Sequence, residues 1–248
     1  MREPLTRAGQ ALVRLYPMGI SLLWKAPLVL ALVVVPEFLQ HVAEIQLGMF
    51  DGREAARAAA DDPLRWAFGY AKIAGLVLTF IAAARFWWTR QHGGHWANPR
   101  QIAWGRLLLG LFLFIGIPIL PDLFKAQIEP WLYQALVWGL SLIMLPMLFL
   151  LLAGLFGDRA TPVAAMWRRA WPWLILTLLL AVLAFMPAQW LHGMNHKWAL
   201  GAVPVVVWAL MIFDSVLVGL LAGLTGTAFY LGYAAFADGD RGAIAHPA

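Results

Sequence analysis

Only 12% of the 248 residues are Asp, Glu, Lys or Arg, so the few ionisable groups that interrupt apolar runs are the places to look for chemistry. Asp214 stands inside the last long apolar run, Val203 to Phe236. A carboxylate at membrane depth is normally paired, protonated or turned toward water, because burying it alone costs several kcal/mol. Lys72 is the expected partner. Asp214 lies ten residues past Pro204 and Lys72 nine past Pro63. At about 1.5 Å per residue, both sit about 14–15 Å along helices that start on the same face. Three uses of such a pair stay open: a structural bridge between spans, a proton or cation site in a transport path, or a counter-charge for a substrate.

A second set carries imidazole. Glu37, His41 and Glu44 are spaced by four and three residues, one face of a helix, and His192 and His196 stand at i and i+4. Imidazole and carboxylate together bind zinc, and i,i+4 is a workable ligand spacing. Glu37, His41, His192 and His196 are therefore the candidate metal set. Gly193 and Asn195 count against it, since both disfavour a regular helix between the two histidines. His92 and His95 flank a Gly-Gly turn expected on the opposite side of the membrane. The chain has no cysteine, which removes thiolate ligands, disulfides and cysteine nucleophiles. HExxH, P-loop, GxSxG and dinucleotide motifs are also missing. No catalytic residue and no cofactor is assigned, and a non-enzymatic role is expected over an enzymatic one.

The elements that must position these groups are membrane helices. A composition that is 62% hydrophobic lies outside the soluble range, and the apolar residues fall in blocks of the length that a ~30 Å hydrocarbon core requires. Six blocks consume most of the chain, leaving no room for a separate soluble domain. Residues 1–10 are polar and no cleavage site follows a short apolar run, so the first helix is expected to stay attached. The expected fold is an all-α, polytopic six-helix bundle with short amphipathic interfacial helices, one domain over residues 1–248.

Prolines mark the helix starts. Pro suits the first helical position, where a missing N–H has no intrahelical partner to lose. The marks are Glu3-Pro4, Asp62-Pro63, Asn98-Pro99, Glu129-Pro130, Thr161-Pro162 and Val203-Pro204, with Asp62, Asn98 and Thr161 also competent N-caps. They predict an amphipathic opening helix at 4–16 and spans at 18–39, 63–89, 102–120, 130–156, 171–190 and 204–236. Pro27, Pro118 and Pro146 fall inside spans and predict kinks. In the last span Ser215, Gly219, Gly223 and Thr227 repeat every four residues, a seam that lets helix backbones approach. Packing within the bundle is its expected use, with homodimerisation the alternative.

Basic residues set orientation. With the N-terminus cytoplasmic, that side holds twelve Lys and Arg, from Arg2 and Arg14 to Arg241, and the other side holds six. The two-to-one bias predicts both termini inside. The net charge of +5 is therefore a topology signal, and no nucleic acid partner is expected. Basic, partly apolar stretches precede alternate spans, and Arg14, Arg106, Arg168 and Arg169 are placed to meet lipid headgroups. Membrane lipids are the expected partners, with a membrane-protein partner as a further candidate. Trp24, Trp66, Trp87, Trp88, Trp104, Trp171, Trp173 and Trp190 lie near span ends as an aromatic belt.

The stretch Gly157–Leu180, GDRATPVAAMWRRAWPWLILTLLL, resembles a pattern of a broad bacterial inner-membrane superfamily. In that pattern a short helix with a terminal arginine runs into a span. The superfamily includes the membrane domain fused to some glycerophosphodiester phosphodiesterases. Thr227–Phe236, with Phe229 and Tyr230, is similar to the close of those domains. The resemblance covers about a third of the chain and implies a six-span protein of the bacterial inner membrane. It carries over no catalytic residue, because the phosphodiesterase chemistry belongs to a soluble domain. The function expected on this footing is lipid handling or envelope assembly without catalysis; the alternative is a small transporter or channel using Asp214 and Lys72.

Overall fold

Proline and apolar length together decide the elements. The computed structural model describes the backbone of residues 2–245 and the side chains of residues 5–237. The side chains of Arg2 and Arg241, and the Glu3-Pro4 mark, lie outside the described side chains. The helices are α1 (Arg2–Lys25), α2 (Pro27–Gln46), α3 (Arg53–Ala58), α4 (Pro63–His92) and α5 (Trp104–Phe124). They continue with α6 (Pro130–Met144), α7 (Met147–Phe156), α8 (Val163–Arg169), α9 (Trp171–Ala199) and α10 (Pro204–Ala245). No strand occurs among the described residues. Among the described residues, five helices are long and apolar enough to cross a membrane, and α6 with α7, bent by 46°, makes a sixth if counted as one span. The protein is an all-α, multi-pass membrane protein.

Each interior proline acts differently. Pro27 ends α1 at Lys25 and starts α2, with Ala26 at φ −149°, ψ 56° between them. The first span therefore begins at Pro27 and not at residue 18: a proline ring crowds the carbonyl four residues back and removes an N–H donor, and at Ala26 the helix breaks. Around Pro118 the helix α5 widens to a π turn over Phe112–Gly116 and tightens to 3₁₀ over Leu120–Phe124, the usual accommodation of a missing N–H. Pro146 sits at the bend between α6 and α7. Thr161 is not the cap of α8: Pro162 takes that position, and the Thr161 hydroxyl turns to Asp158 instead. Asp62 and Asn98 do cap, accepting the N–H groups of Leu64 and Arg100.

By its internal contacts the chain divides into two units, one of residues 12–87 and 180–228, the other of residues up to 11, 88–179 and from 229 on. In the first unit, Gly219 and Gly223 of α10 face Val34, Leu30 and Leu22, so the small-residue seam receives α1 and α2. Thr227 closes the seam, accepting the Trp87 indole N–H at 3.0 Å, and the Ser215 hydroxyl donates to the Met211 carbonyl. A Cβ on Gly226 would lie 2.5 Å from the Phe80 carbonyl, so α4 and α10 touch backbone to backbone. Pro36 offers no N–H to the Leu32 carbonyl, and Gly75 of α4 closes directly over that carbonyl. These contacts lock α2, α4 and α10 in register at the level of the ionisable groups.

In the second unit, α5 and α7 pack through a reciprocal glycine contact. A Cβ on Gly110 would meet Leu151 Cα at 2.6 Å, and one on Gly154 would meet Leu107 Cα at 2.5 Å. The turn after α7 holds a second polar cluster. Asp158 Oδ1 accepts the N–H groups of Ala160 and Thr161, and Oδ2 accepts the hydroxyls of Thr161 at 2.7 Å and Tyr233 at 2.8 Å. Arg106 donates to the carbonyls of Asp158, Thr161 and Arg159.

Candidate metal centre

Four helices of the first unit deliver polar side chains to one buried point. The i, i+4, i+7 spacing on α2 puts Glu37, His41 and Glu44 on a single face, with Gln40 beside them. All four are buried. Asp214 comes from α10 and is fully buried. His192, Asn195 and His196 come from α9, which runs unbroken to Ala199. The doubt raised by Gly193 and Asn195 is thereby removed. Asn195 is itself a member of the site, its amide holding Asp214 Oδ1 at 2.7 Å. Tertiary packing outweighs its weak helix propensity.

Asp214 Oδ2 is the hub. It lies 2.6 Å from His192 Nδ1, 3.1 Å from His41 Nε2 and 3.7 Å from His196 Nε2. His41 Nε2 is also 3.2 Å from Glu37 Oε1, and its Nδ1 is 3.1 Å from Glu44 Oε2. The Glu44 carboxylate takes Arg65 Nε at 3.0 Å and Gln40 Nε2 at 3.1 Å. Lys72 Nζ contacts Glu37, 3.2 Å from Oε1 and 3.1 Å from Oε2. The expected Asp214–Lys72 pair is therefore not formed. Equal distance from two helix starts says nothing about azimuth: Lys72 meets α2, while Asp214 meets the histidines.

Charge and hydrogen bonding are both incomplete here. Three carboxylates face two fixed cations, Arg65 and Lys72, so one positive charge is wanting if every imidazole is neutral. Buried carboxylates without such compensation are strongly unfavourable. The Gln40 Oε1, Asn195 Oδ1 and His196 Nε2 atoms are buried with no hydrogen-bond partner among the described residues, and Glu37 Oε2 makes only its ion pair. A divalent ion would supply the charge and take up the orphaned nitrogen together.

The donor set suits that use. His192, His196 and Asp214 offer ligand atoms within 4.8 Å of one another, as do His41, Glu44 and His196, and Glu37, His41 and Asp214. Ligand atoms around tetrahedral zinc lie about 3.4 Å apart for bonds of about 2.1 Å, so small side-chain shifts would close any of these triads. Glu44 behind His41 Nδ1 is the kind of carboxylate that orients a metal-ligating imidazole. His192 and Lys72 also line a cavity of about 160 Å³, whose remaining walls are Ile73, Leu76, Phe185, Gln189, Val218 and Leu221. One side of the centre thus opens on apolar space.

Among the candidates from sequence, Glu37, His41, His192, His196, Asp214 and Lys72 all come together. Gln40, Asn195 and Arg65 were missed as members, and Glu44 and Asp214 were not assigned to the metal set. The signal for Gln40 and Asn195 was their i+3 offset from Glu37 and His192; for Arg65 it was its position seven residues before Lys72. Of the arginines read as headgroup ligands, Arg14 and Arg168 are exposed. Arg106 is corrected: its guanidinium is spent on the carbonyls of the 158–161 turn. No family model, curated protein or solved structure matches this chain, so the resemblance of Gly157–Leu180 stands on its motif alone.

Proposed function

We propose that this chain is a metal-dependent membrane protein whose centre of His192, His196 and Asp214, with His41 as a further donor, holds a divalent transition-metal ion of the zinc class. A zinc ion held by these residues would supply a Lewis acid and would lower the pKa of a bound water. The observation that carries the reading is the convergence of three imidazoles on Asp214 Oδ2, with the His196 Nε2 at 3.7 Å and without a hydrogen bond among the described residues. In this reading Glu44 and Arg65 orient His41, Asn195 holds the outer oxygen of Asp214, and Lys72 sits where it can meet negative charge on a bound molecule. The apolar cavity walls suit a lipid-like substrate, which brings the expectation of lipid handling into the same proposal. A bacterial-type inner membrane with both termini cytoplasmic belongs to it too, supported by the two-to-one bias of basic residues.

A second reading has its own support. An imidazole with carboxylate oxygens at both nitrogens can donate to both only as the imidazolium, and His41 is so placed. A proton on His41 would supply the wanting charge without metal, as a proton-coupled transporter would use it. Metal content of the full chain purified without chelator separates the two. Near-stoichiometric zinc, cobalt or iron, a cobalt absorption band of low-symmetry coordination, and loss of both in His192→Ala and His196→Ala support the metal centre. Metal-free protein whose unfolding responds to pH but to none of these ions sinks it in favour of the proton site.

A further inference from the structure

Beside the buried centre, a second and differently built site faces the surface. A groove of about 670 Å³ is lined by Gly52, Arg53, Ala56, Arg57, Lys197, Leu200 and Gly201. Three of these residues are cations and none is an acid. Arg53 and Arg57 stand at i and i+4 on α3, and Lys197 is brought to them from the end of α9. The Gly201 N–H donates to the Phe50 carbonyl at 2.7 Å, pinning the chain before α3 to the α9–α10 turn. Gly201 has φ +73°, the left-handed region that a side chain would strain. Ala56 and the two glycines keep the floor of the groove low. Arg53, Arg57 and Lys197 each lack an ion-pair partner among the described residues, while Arg65 and Lys72 of the same unit are both paired.

Three unpaired cations drawn from two elements around a groove repel one another in the free protein, and a dianion would relieve that. Guanidinium forks bind phosphate oxygens bidentately, and a lysine adds a point charge. We propose that this groove binds a phosphate group, as the headgroup of an anionic membrane amphiphile or as free phosphate. It is separate from the metal reading and does not depend on it. The two sites share a wall nonetheless: Lys197 follows His196, whose ring lies 5.9 Å from that of Phe50. A phosphate held in the groove is therefore anchored one residue from a proposed metal ligand.

The test uses the full chain in nanodiscs of phosphatidylcholine, with phosphatidic acid added at a few per cent in one arm and inorganic phosphate in solution in the other. Wild type is expected to bind phosphatidic acid, and the triple variant Arg53→Gln, Arg57→Gln, Lys197→Gln to bind it at least about tenfold more weakly, with unchanged thermal unfolding and metal content. Arg53→Lys, Arg57→Lys keeps the charge and removes the forks, and should still lose several-fold. Competition by inorganic phosphate identifies the phosphate group itself as the ligand; binding without competition identifies the lipid headgroup. Equal binding by wild type and the triple variant overturns the proposal, as does equal binding by the lysine variant, which would mean diffuse attraction to a charged bilayer. Both lipid outcomes leave the metal content untouched, so failure here and failure of the metal centre are told apart.

Discussion

Two buried carboxylates, Asp158 and Asp214, show what distinguishes a structural polar cluster from a binding one. Asp158 has four donors for its two oxygens, all within one turn and one tyrosine. Burial works to raise its carboxyl, but the hydrogen bonds from Thr161, Tyr233 and Ala160 outweigh that and hold it below the usual carboxylate range. Nothing there is left over. Around Asp214 one oxygen faces three imidazole nitrogens, two further carboxylates stand within reach of His41, and neighbouring polar atoms are orphaned. A closed cluster specifies a fold, whereas an open one carries a cost that a ligand can remove.

The sharpest way to break the comparison is Asp214→Asn. It should remove metal binding and lower stability by about 1–3 kcal/mol, because the His192 and His41 imidazoles lose the oxygen they share; metal analysis with chemical unfolding checks both. Zinc added to wild type at about a hundredfold over its dissociation constant should contribute about 2.7 kcal/mol, and nothing to the variant. Retained metal in Asp214→Asn would place the ion elsewhere.

Lys72→Met comes next, at about 3 kcal/mol, since it strands the Glu37 carboxylate in the interior. Glu37→Gln in the same background should restore much of the loss, and unfolding of the two single variants and the double variant reads that coupling. Simple additivity would show that Lys72 and Glu37 act independently.

Asp158→Asn should cost about 2 kcal/mol through its charge-assisted hydrogen bonds while metal content stays at the wild-type level. The pH dependence has a definite sign. A carboxyl with a depressed folded value contributes stability that is fully present above its unfolded pKa of about 4 and is lost as pH falls through the folded value. Melting curves between about pH 6 and pH 3 should therefore fall more steeply for wild type than for Asp158→Asn. Parallel curves would remove Asp158 from the closed cluster.

The smallest effect is expected from Thr161→Val, about 1 kcal/mol for one hydroxyl hydrogen bond, again without change in bound metal. A metal-dependent loss in either Asp158 or Thr161 variant would blur the distinction between the clusters.

Much of this was legible before any coordinates. Apolar blocks of bilayer length and the Xaa-Pro helix starts gave the membrane helices, and Pro146 gave a bend where one is found. The same local logic failed at Pro27, which was expected to kink a span and instead begins one, and at Asn195, read as a helix breaker and found as a site residue. Local propensity is a matter of a fraction of a kcal/mol per residue; burial of α9 against its neighbours is worth far more.

What the sequence determined by itself was periodicity: which residues share a face of one helix, as Glu37, His41 and Glu44 do, and which stand at a similar distance from their helix starts, as Asp214 and Lys72 do. What only the tertiary structure decided was azimuth between helices. The Gly219–Gly223 seam and the close approaches at Gly75 and Gly226 fix how α2, α4 and α10 are turned, and that rotation sends Lys72 to Glu37 and the three histidines to Asp214. Helical spacing constrains positions along and around one axis. The angle between two axes is set by which small residues allow contact, a property of the assembled pair.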